Sequence, residues 1–150
     1  MIAAGTTIQG ITLVPGRAKG PAFVLREPLS FWGGLDATTG EIIDRWHPQR
    51  GEVVSGRVLV MSAGRGSSSG SSVLAEALRA GTGPIGIVLL TRDAIVTVGA
   101  MVAAELYGRA CPVVLAAAET WSAITEAACI AIEADQDRAL LIATSSSRPS

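Results

Sequence analysis

The sequence predicts one α/β domain built around a central β-α-β-α-β unit with flanking antiparallel strands. Three apolar runs, residues 56–61, 85–90 and 112–116, lack the alternation of a half-exposed strand and are typical of strands buried on both faces. Helix-forming residues fill the two segments between them, 73–80 and 94–107. Strands and helices in this order predict parallel strands joined by right-handed crossovers.

Glycine and proline divide the segment before this unit. Residues 9–14 and 20–26 are predicted to be strands, the first ended by a Pro-Gly pair and the second by a proline. Residues 31–48 are too rich in glycine for a helix and too apolar for a linker. This composition predicts a structured loop with a short strand near residues 41–43.

Each predicted helix has recognisable ends. Ser71 or Ser72 is expected to cap the first helix, and Gly81 to end it. In the second helix Val98, Val102 and Leu106 recur at four-residue spacing, and Gly108 is expected to end it.

The last part of the chain predicts a hairpin. Residues 128–134 alternate between apolar and other side chains, residues 135–137 favour a turn, and residues 139–143 are predicted to return as an antiparallel partner. We expect the domain to cover residues 1–144 and residues 145–150 to be a disordered tail.

Composition excludes several classes of protein. The 150 residues include 12 basic and 13 acidic side chains, a formal net charge of -1, so no nucleic-acid binding is expected. Charged side chains interrupt the longest apolar stretch, residues 85–106, so no membrane association is expected. Cys111 and Cys129 lie apart in apolar segments, which favours free thiols and a cytoplasmic location.

One segment has the features of a ligand-binding loop. Residues 62–72, the serine loop, contain six serines, three glycines and Arg65, between a predicted strand and a predicted helix. Ligands bind in α/β sheets where the carboxyl end of a strand meets a helix N-terminus. Glycines let the backbone approach a ligand, the helix dipole favours an anion, and arginine binds carboxylates or phosphates. The same positive potential stabilises a deprotonated serine.

Two other interpretations of the serine loop remain open on these residues. Its composition fits a flexible linker, although linkers rarely lie inside a β-α-β unit. The spacing of Gly64, Gly66 and Gly70 is a loosened dinucleotide-binding pattern, and Asp93 follows the next strand, where an acid binds ribose. A nucleotide-binding or regulatory module is therefore the alternative from another class.

Residues 13–116 resemble the small subunit, or swivel domain, of the aconitase X family. Within the serine loop, Gly64 to Ser71 are the most specific part of the resemblance. The other matching pieces are Phe31-Trp32-Gly33-Gly34, Asp36, Thr39-Gly40, His47-Pro48, Pro84, Gly99, Val102-Ala103, Leu106-Tyr107-Gly108 and Pro112-Val113-Val114.

The resemblance implies a swivelling β/β/α domain that forms a heterodimer with an aconitase-like large subunit. It implies a hydro-lyase in which an iron or iron–sulfur centre on the large subunit polarises the departing hydroxyl and a serine removes a proton. Ser67 is the implied base, with Ser68 as the alternative. Arg65, Gly66 and Ser68 are the implied substrate-binding residues.

Two points from the residues themselves agree with a divided site. One histidine and two separated cysteines form no metal-ligand motif, so we expect no cofactor on this chain. Serine is a very weak base unless it is activated, so an isolated chain is expected to be inactive.

The family's substrates are small hydroxy acids. The single lysine, Lys19, is unlike the lysine-rich composition of hyperthermophiles. This favours the branch that dehydrates cis-3-hydroxy-L-proline to 1-pyrroline-2-carboxylate over the 5-phosphomevalonate branch.

Several other residues have competing roles. His47 is expected to be a hydrogen-bonded structural residue, although it is the only histidine. Asp36 and Asp44 are interpreted as turn-forming acids, with a role at the border of the site as the alternative. For the pair Phe31 and Trp32, a partner-binding surface and a small core under the loop are weighted equally. The remaining tryptophans, Trp46 and Trp121, are interpreted as packing residues.

Overall fold

The computed structural model describes residues 5–145, which form seven strands, four helical segments and one 3-10 turn. In chain order they are β1 (Thr6–Val14), β2 (Gly16–Val24), α1 (Phe31–Gly34), β3 (Val58–Met61), α2 (Gly70–Ala80), β4 (Gly86–Leu89), α3 (Ala94–Tyr107), β5 (Val113–Leu115), the 3-10 turn (Ala118–Thr120), α4 (Trp121–Thr125), β6 (Cys129–Ala134) and β7 (Ala139–Thr144). Most of the predicted tail, residues 146–150, lies outside the described residues.

The predicted β-α-β-α-β unit is present. Strands β3, β4 and β5 are parallel neighbours, and α2 and α3 lie between them in sequence. The predicted hairpin is present as well, because β6 and β7 pair antiparallel along their whole length.

The sheet closes into a barrel, which the sequence does not predict. The strand order is β1-β5-β4-β3-β2-β6-β7, and β7 pairs with β1. Both long strands change partner midway. The first half of β1 pairs with β7 and the second half with β5, while β2 pairs first with β6 and then with β3. These two strands therefore join the parallel unit to the hairpin.

The parallel strands are buried on both faces because they separate two hydrophobic cores. Leu59, Met61 and Ile87 belong to the core beneath α2 and α3, whereas Val60 and Val88 belong to the core inside the barrel. This explains why their sequences lack a polar alternation.

The start of α2 differs from the prediction. The helix begins at Gly70, and its first residues include both serines that were expected to cap it. The Ser71 hydroxyl donates to the carbonyl of Ile95 at 2.7 Å, so it links α2 to α3 instead. Gly81 ends the helix in the left-handed conformation, with φ at +80°, as predicted.

Helix α3 has the predicted bounds, but the four-residue repeat is not its buried face. Val98 and Leu106 are exposed. The buried residues are small or lie on the opposite side: Val96, Gly99, Ala100 and Ala103. Small residues face inward because α2 approaches closely, and a β-carbon on Gly99 would lie 2.9 Å from the carbonyl oxygen of Ser71.

Residues 31–48 form the predicted structured loop, with one addition. Phe31–Gly34 make one short turn, closed by a hydrogen bond from the N–H of Leu35 to the carbonyl of Phe31. The backbone of Trp32 and Gly33 within it is not helical, in agreement with the glycine content. Isolated bridges join Leu35 to Ile42 and Glu41 to Val53, at the predicted short strand. This loop packs beside the start of α2.

Candidate active site

The serine loop lies where the sequence predicts, after the carboxyl end of β3, and its last three residues form the start of α2. The backbone N–H groups of Leu90 and Thr91 donate to the carbonyl of Ser62 at 3.2 and 2.8 Å, which joins the ends of β3 and β4. Beyond this junction, residues 65–69 are all exposed. The loop is thus a tight surface turn at the carboxyl edge of the parallel strands.

Ser67 lies at the beginning of this turn, before α2. Its Oγ accepts a hydrogen bond from the backbone N–H of Ser69 at 3.1 Å, and its carbonyl accepts one from Gly70 at 2.9 Å. The N–H groups of a first helical turn carry partial positive charge. A hydrogen bond of this kind stabilises the alkoxide relative to the neutral hydroxyl.

Asp93 closes the base of the loop. Its Oδ1 accepts the backbone N–H of Val96 at 3.0 Å and so caps α3, while a β-carbon on Gly64 would lie 2.2 Å from its Oδ2. The nucleotide interpretation needs this carboxylate for a ribose. In the structure it is engaged by the helix and covered by the loop.

Arg65 pairs with Asp44 across the loop. Arg65 Nη2 lies 3.6 Å from Asp44 Oδ2, and the two side chains are 50% and 20% exposed. Asp44 also forms the expected turn, because its Oδ1 accepts the backbone N–H of Trp46 at 2.9 Å. Asp36 forms a similar turn by accepting the N–H of Thr38 at 2.8 Å. Only Asp44 of these two acids contacts the serine loop.

Comparisons with known proteins identify the family to which this fold belongs. The family described as aconitase X swivel domain matches residues 7–142. This chain belongs to that family. Aconitase X of Thermococcus kodakaraensis, in its holo form, superposes with a TM-score of 0.73 and 28% identity, covering 91% of this chain and 98% of that one.

Two groups of curated relatives match this swivel domain. The cis-3-hydroxy-L-proline dehydratase of Hypocrea jecorina is 39% identical over 132 residues, 88% of this chain and 22% of the relative. The phosphomevalonate dehydratase small subunit of Methanothermobacter thermautotrophicus is 41% identical over 88 residues, 59% of this chain and 67% of the relative. The chain thus spans about a fifth of the length of the cis-3-hydroxy-L-proline dehydratases it matches.

His47 has a structural role in this swivel domain, as predicted. The side chain is 4% exposed. Its Nε2 donates to the carbonyl of Glu27 at 3.1 Å and its Nδ1 accepts the N–H of Gln49 at 3.1 Å, so both ring nitrogens are used. The ring fastens the loop to the segment that follows β2.

The aromatic residues divide between core and surface. Phe31 is buried and belongs to the core, whereas Trp32 is 60% exposed, so the partner-binding surface stays a prediction for Trp32 alone. Trp46 is 83% exposed, and its interpretation as a packing residue is wrong. It lies at the tip of a loop turn, beside Arg45, whose guanidinium is 5.6 Å from the ring centroid. Trp121 packs against the barrel core as expected.

The residues of this domain do not fit an iron centre. Within residues 5–145 no group of three or more His, Cys, Asp or Glu side chains is arranged to hold a metal ion. Both cysteines are free thiols, and Cys111 is buried, so neither belongs to such a group.

No helix in the described part of the chain has both the length and the apolar character needed to cross a membrane.

Proposed function

We propose that this chain is the small subunit of a heterodimeric aconitase X-type hydro-lyase, in which Ser67 is the general base. The observation that carries the proposal is the hydrogen bond from the Ser69 N–H to Ser67 Oγ, at 3.1 Å, in an exposed turn at the N-terminus of α2. The bond and the helix dipole both favour the alkoxide over the neutral hydroxyl.

The chemistry assigned to Ser67 is one proton transfer. Its alkoxide takes the proton from the carbon beside the substrate carboxylate, and the electron pair of that C–H bond forms the new double bond. The hydroxyl on the neighbouring carbon leaves with a proton supplied by the large subunit and is released as water, and the proton on Ser67 passes to solvent. The described residues of this chain offer no group for the departing hydroxyl, so we assign that half of the reaction to the large subunit. The iron or iron–sulfur centre implied by the family resemblance is proposed for that subunit as well.

Three neighbouring residues are proposed to bind the substrate. Arg65 binds its carboxylate through the guanidinium fork. Gly66 is exposed, so the side of its backbone that Ser30 does not cover is open to a ligand. Ser68 is exposed beside the base and offers a second hydroxyl. If Ser67 is not the base, Ser68 is the alternative.

The exposure of the serine loop supports the need for a partner. In water a serine alkoxide is too unfavourable to form, whereas a covering subunit excludes water and strengthens every dipole that points at the hydroxyl. The much greater length of the cis-3-hydroxy-L-proline dehydratases, of which this chain matches about a fifth, supports a large companion. The free cysteines support a cytoplasmic location for the complex.

We propose cis-3-hydroxy-L-proline as the substrate. Elimination gives the C2=C3 enamine, 2-pyrroline-2-carboxylate, and transfer of its N–H proton to C3 gives the product, 1-pyrroline-2-carboxylate. The support is the extent of the match, since the Hypocrea jecorina enzyme aligns with 88% of this chain and the Methanothermobacter thermautotrophicus subunit with 59%. 5-Phosphomevalonate is the alternative substrate, because identity to that subunit is equally high, at 41%.

The test uses the chain co-expressed with an aconitase-like large subunit, sought among neighbouring genes. We expect the complex to dehydrate cis-3-hydroxy-L-proline, and Ser67→Ala to reduce turnover on the order of 10²–10⁴-fold without dissociating the complex. The matched control is Ser69→Ala, because the Ser69 side chain makes no cap hydrogen bond in the same loop. Loss of activity in Ser68→Ala alone would move the base to Ser68. Full activity in both Ser67→Ala and Ser68→Ala would place the base outside this chain.

A further inference from the structure

Asp44 is held more firmly than a surface aspartate. The N–H of Trp46 donates to its Oδ1 at 2.9 Å, and the N–H of His47 donates to its carbonyl at 3.1 Å. The preceding residue, Ile43, donates to the carbonyl of Gly34 at 2.8 Å. The second carboxylate oxygen, Oδ2, is thereby fixed in a half-buried position facing the serine loop.

The Arg65 side chain is less firmly held than that of Asp44. It lies in an exposed turn between Gly64 and Gly66, and half of its side chain is in contact with solvent. A free arginine side chain carries about 2 kcal/mol of rotamer entropy that binding must overcome. The 3.6 Å contact between Arg65 Nη2 and Asp44 Oδ2 restricts this freedom. It occupies one edge of the guanidinium and leaves the other donors for a second carboxylate.

We infer that Asp44 is a positioning residue, which holds the Arg65 guanidinium in the orientation that receives the substrate carboxylate beside Ser67. This inference deepens the proposed function and rests on it. Asp44 touches neither substrate nor reacting atoms in this role. Because Asp44 restricts the Arg65 side chain before substrate binds, less conformational entropy is lost on binding. Asp44 therefore affects substrate binding and not proton removal.

The kinetic test compares three variants of the assembled complex with cis-3-hydroxy-L-proline as substrate. Asp44→Asn keeps an acceptor for the Trp46 N–H but loses the charge that holds Arg65. We expect KM to rise on the order of three- to tenfold with kcat changed less than about twofold. Asp44→Glu restores the charge and is expected to recover most of the KM. The control is Glu52→Gln, which breaks the exposed Glu52–Arg57 pair, 3.5 Å long, outside the serine loop.

A second measurement does not depend on activity. In the free full-length chain, the heteronuclear NOE of the Arg65 Nε–Hε group reports how strongly that side chain is held. We expect it to fall in Asp44→Asn and to stay unchanged in Glu52→Gln.

An unchanged NOE in Asp44→Asn, or a loss of kcat with KM unaltered, would overturn the positioning role. Full activity of Ser67→Ala would instead overturn the proposed base and leave the NOE result standing, so the two failures are distinguishable.

Discussion

The side chain of Ser30 lies directly against the backbone of Gly66. A β-carbon at position 66 would come within 2.2 Å of Ser30 Oγ and 2.8 Å of Ser30 Cβ, and the φ of Gly66 is +99°. The Ser30 hydroxyl is held in place by donating to the carbonyl of Trp32 at 3.0 Å. The turn that carries Ser67 therefore needs glycine at position 66 for two reasons, the available space and the backbone conformation.

The first prediction separates these two reasons. Gly66→Ala is expected to destabilise the chain by about 2–4 kcal/mol in urea unfolding, from the left-handed φ and the clash together. Gly51→Ala is the matched control, because Gly51 has φ at +94° with nothing within 4 Å of an added β-carbon. It is expected to cost only about 1 kcal/mol. Adding Ser30→Gly to Gly66→Ala should recover the difference. Equal losses in the two single variants would show that Ser30 does not restrict this turn.

The second prediction concerns the carboxylate that closes the base of the loop. Asp93 caps α3 through the N–H of Val96, so Asp93→Ala is expected to lower the free energy of unfolding by about 1 kcal/mol. Asp93→Asn keeps an oxygen acceptor of the same shape and should lose much less. Thermal or urea unfolding of the isolated chain measures both. Equal losses in the two variants would contradict the capping role.

Local signals in the sequence were sufficient for parts of the fold. The bounds of α3 follow from a long run of helix formers that Gly108 ends, and the structure places the helix at those residues. The three parallel strands follow from uninterrupted apolar runs. The serine loop follows from composition and from its place between a strand and a helix.

Other features depend on contacts that no local pattern encodes. Barrel closure depends on β1 and β2 changing partner midway, which is a matter of long-range register. The four-residue repeat of α3 predicts the helix but not its buried face, which Val96, Gly99, Ala100 and Ala103 form. The contacts of Ser30 with Gly66 and of Asp44 with Arg65 join residues far apart in the chain.

The third prediction tests the face that the proposed large subunit covers. Trp32 and Trp46 are exposed and lie on the loop that contacts the serine loop. Exposed tryptophans of this kind are frequent hot spots, so Trp32→Ala and Trp46→Ala are each expected to weaken the complex by roughly tenfold in Kd. Leu106→Ala is the control, because this 69% exposed residue lies near the C-terminus of α3, whereas the N-terminus of α3 lies beside the serine loop. Binding is measured by calorimetry with the purified large subunit. A stronger effect of Leu106→Ala than of either tryptophan variant would place the interface elsewhere.

The fourth prediction follows from the burial of Cys111. Burial raises the pKa of its thiol from 9.0 to about 12 in the folded chain. Above pH 9 the unfolded chain loses this proton while the folded chain keeps it, so the unfolded state is favoured. The stability that the neutral thiol contributes is complete below pH 9 and is lost as the pH rises toward 12, by up to about 1.4 kcal/mol per pH unit.

The measurement is the free energy of unfolding from pH 7 to pH 11 in the wild-type chain, in Cys111→Ala and in Cys111→Val. Both variants lack the titrating group, so their curves should fall less steeply than the wild-type curve above pH 9. The valine variant keeps more of the buried volume and separates this slope from the cost of a cavity, which lowers stability at every pH. If the three stability curves fall equally steeply above pH 9, the Cys111 thiol ionises equally well in the folded and unfolded chains, and the prediction is wrong.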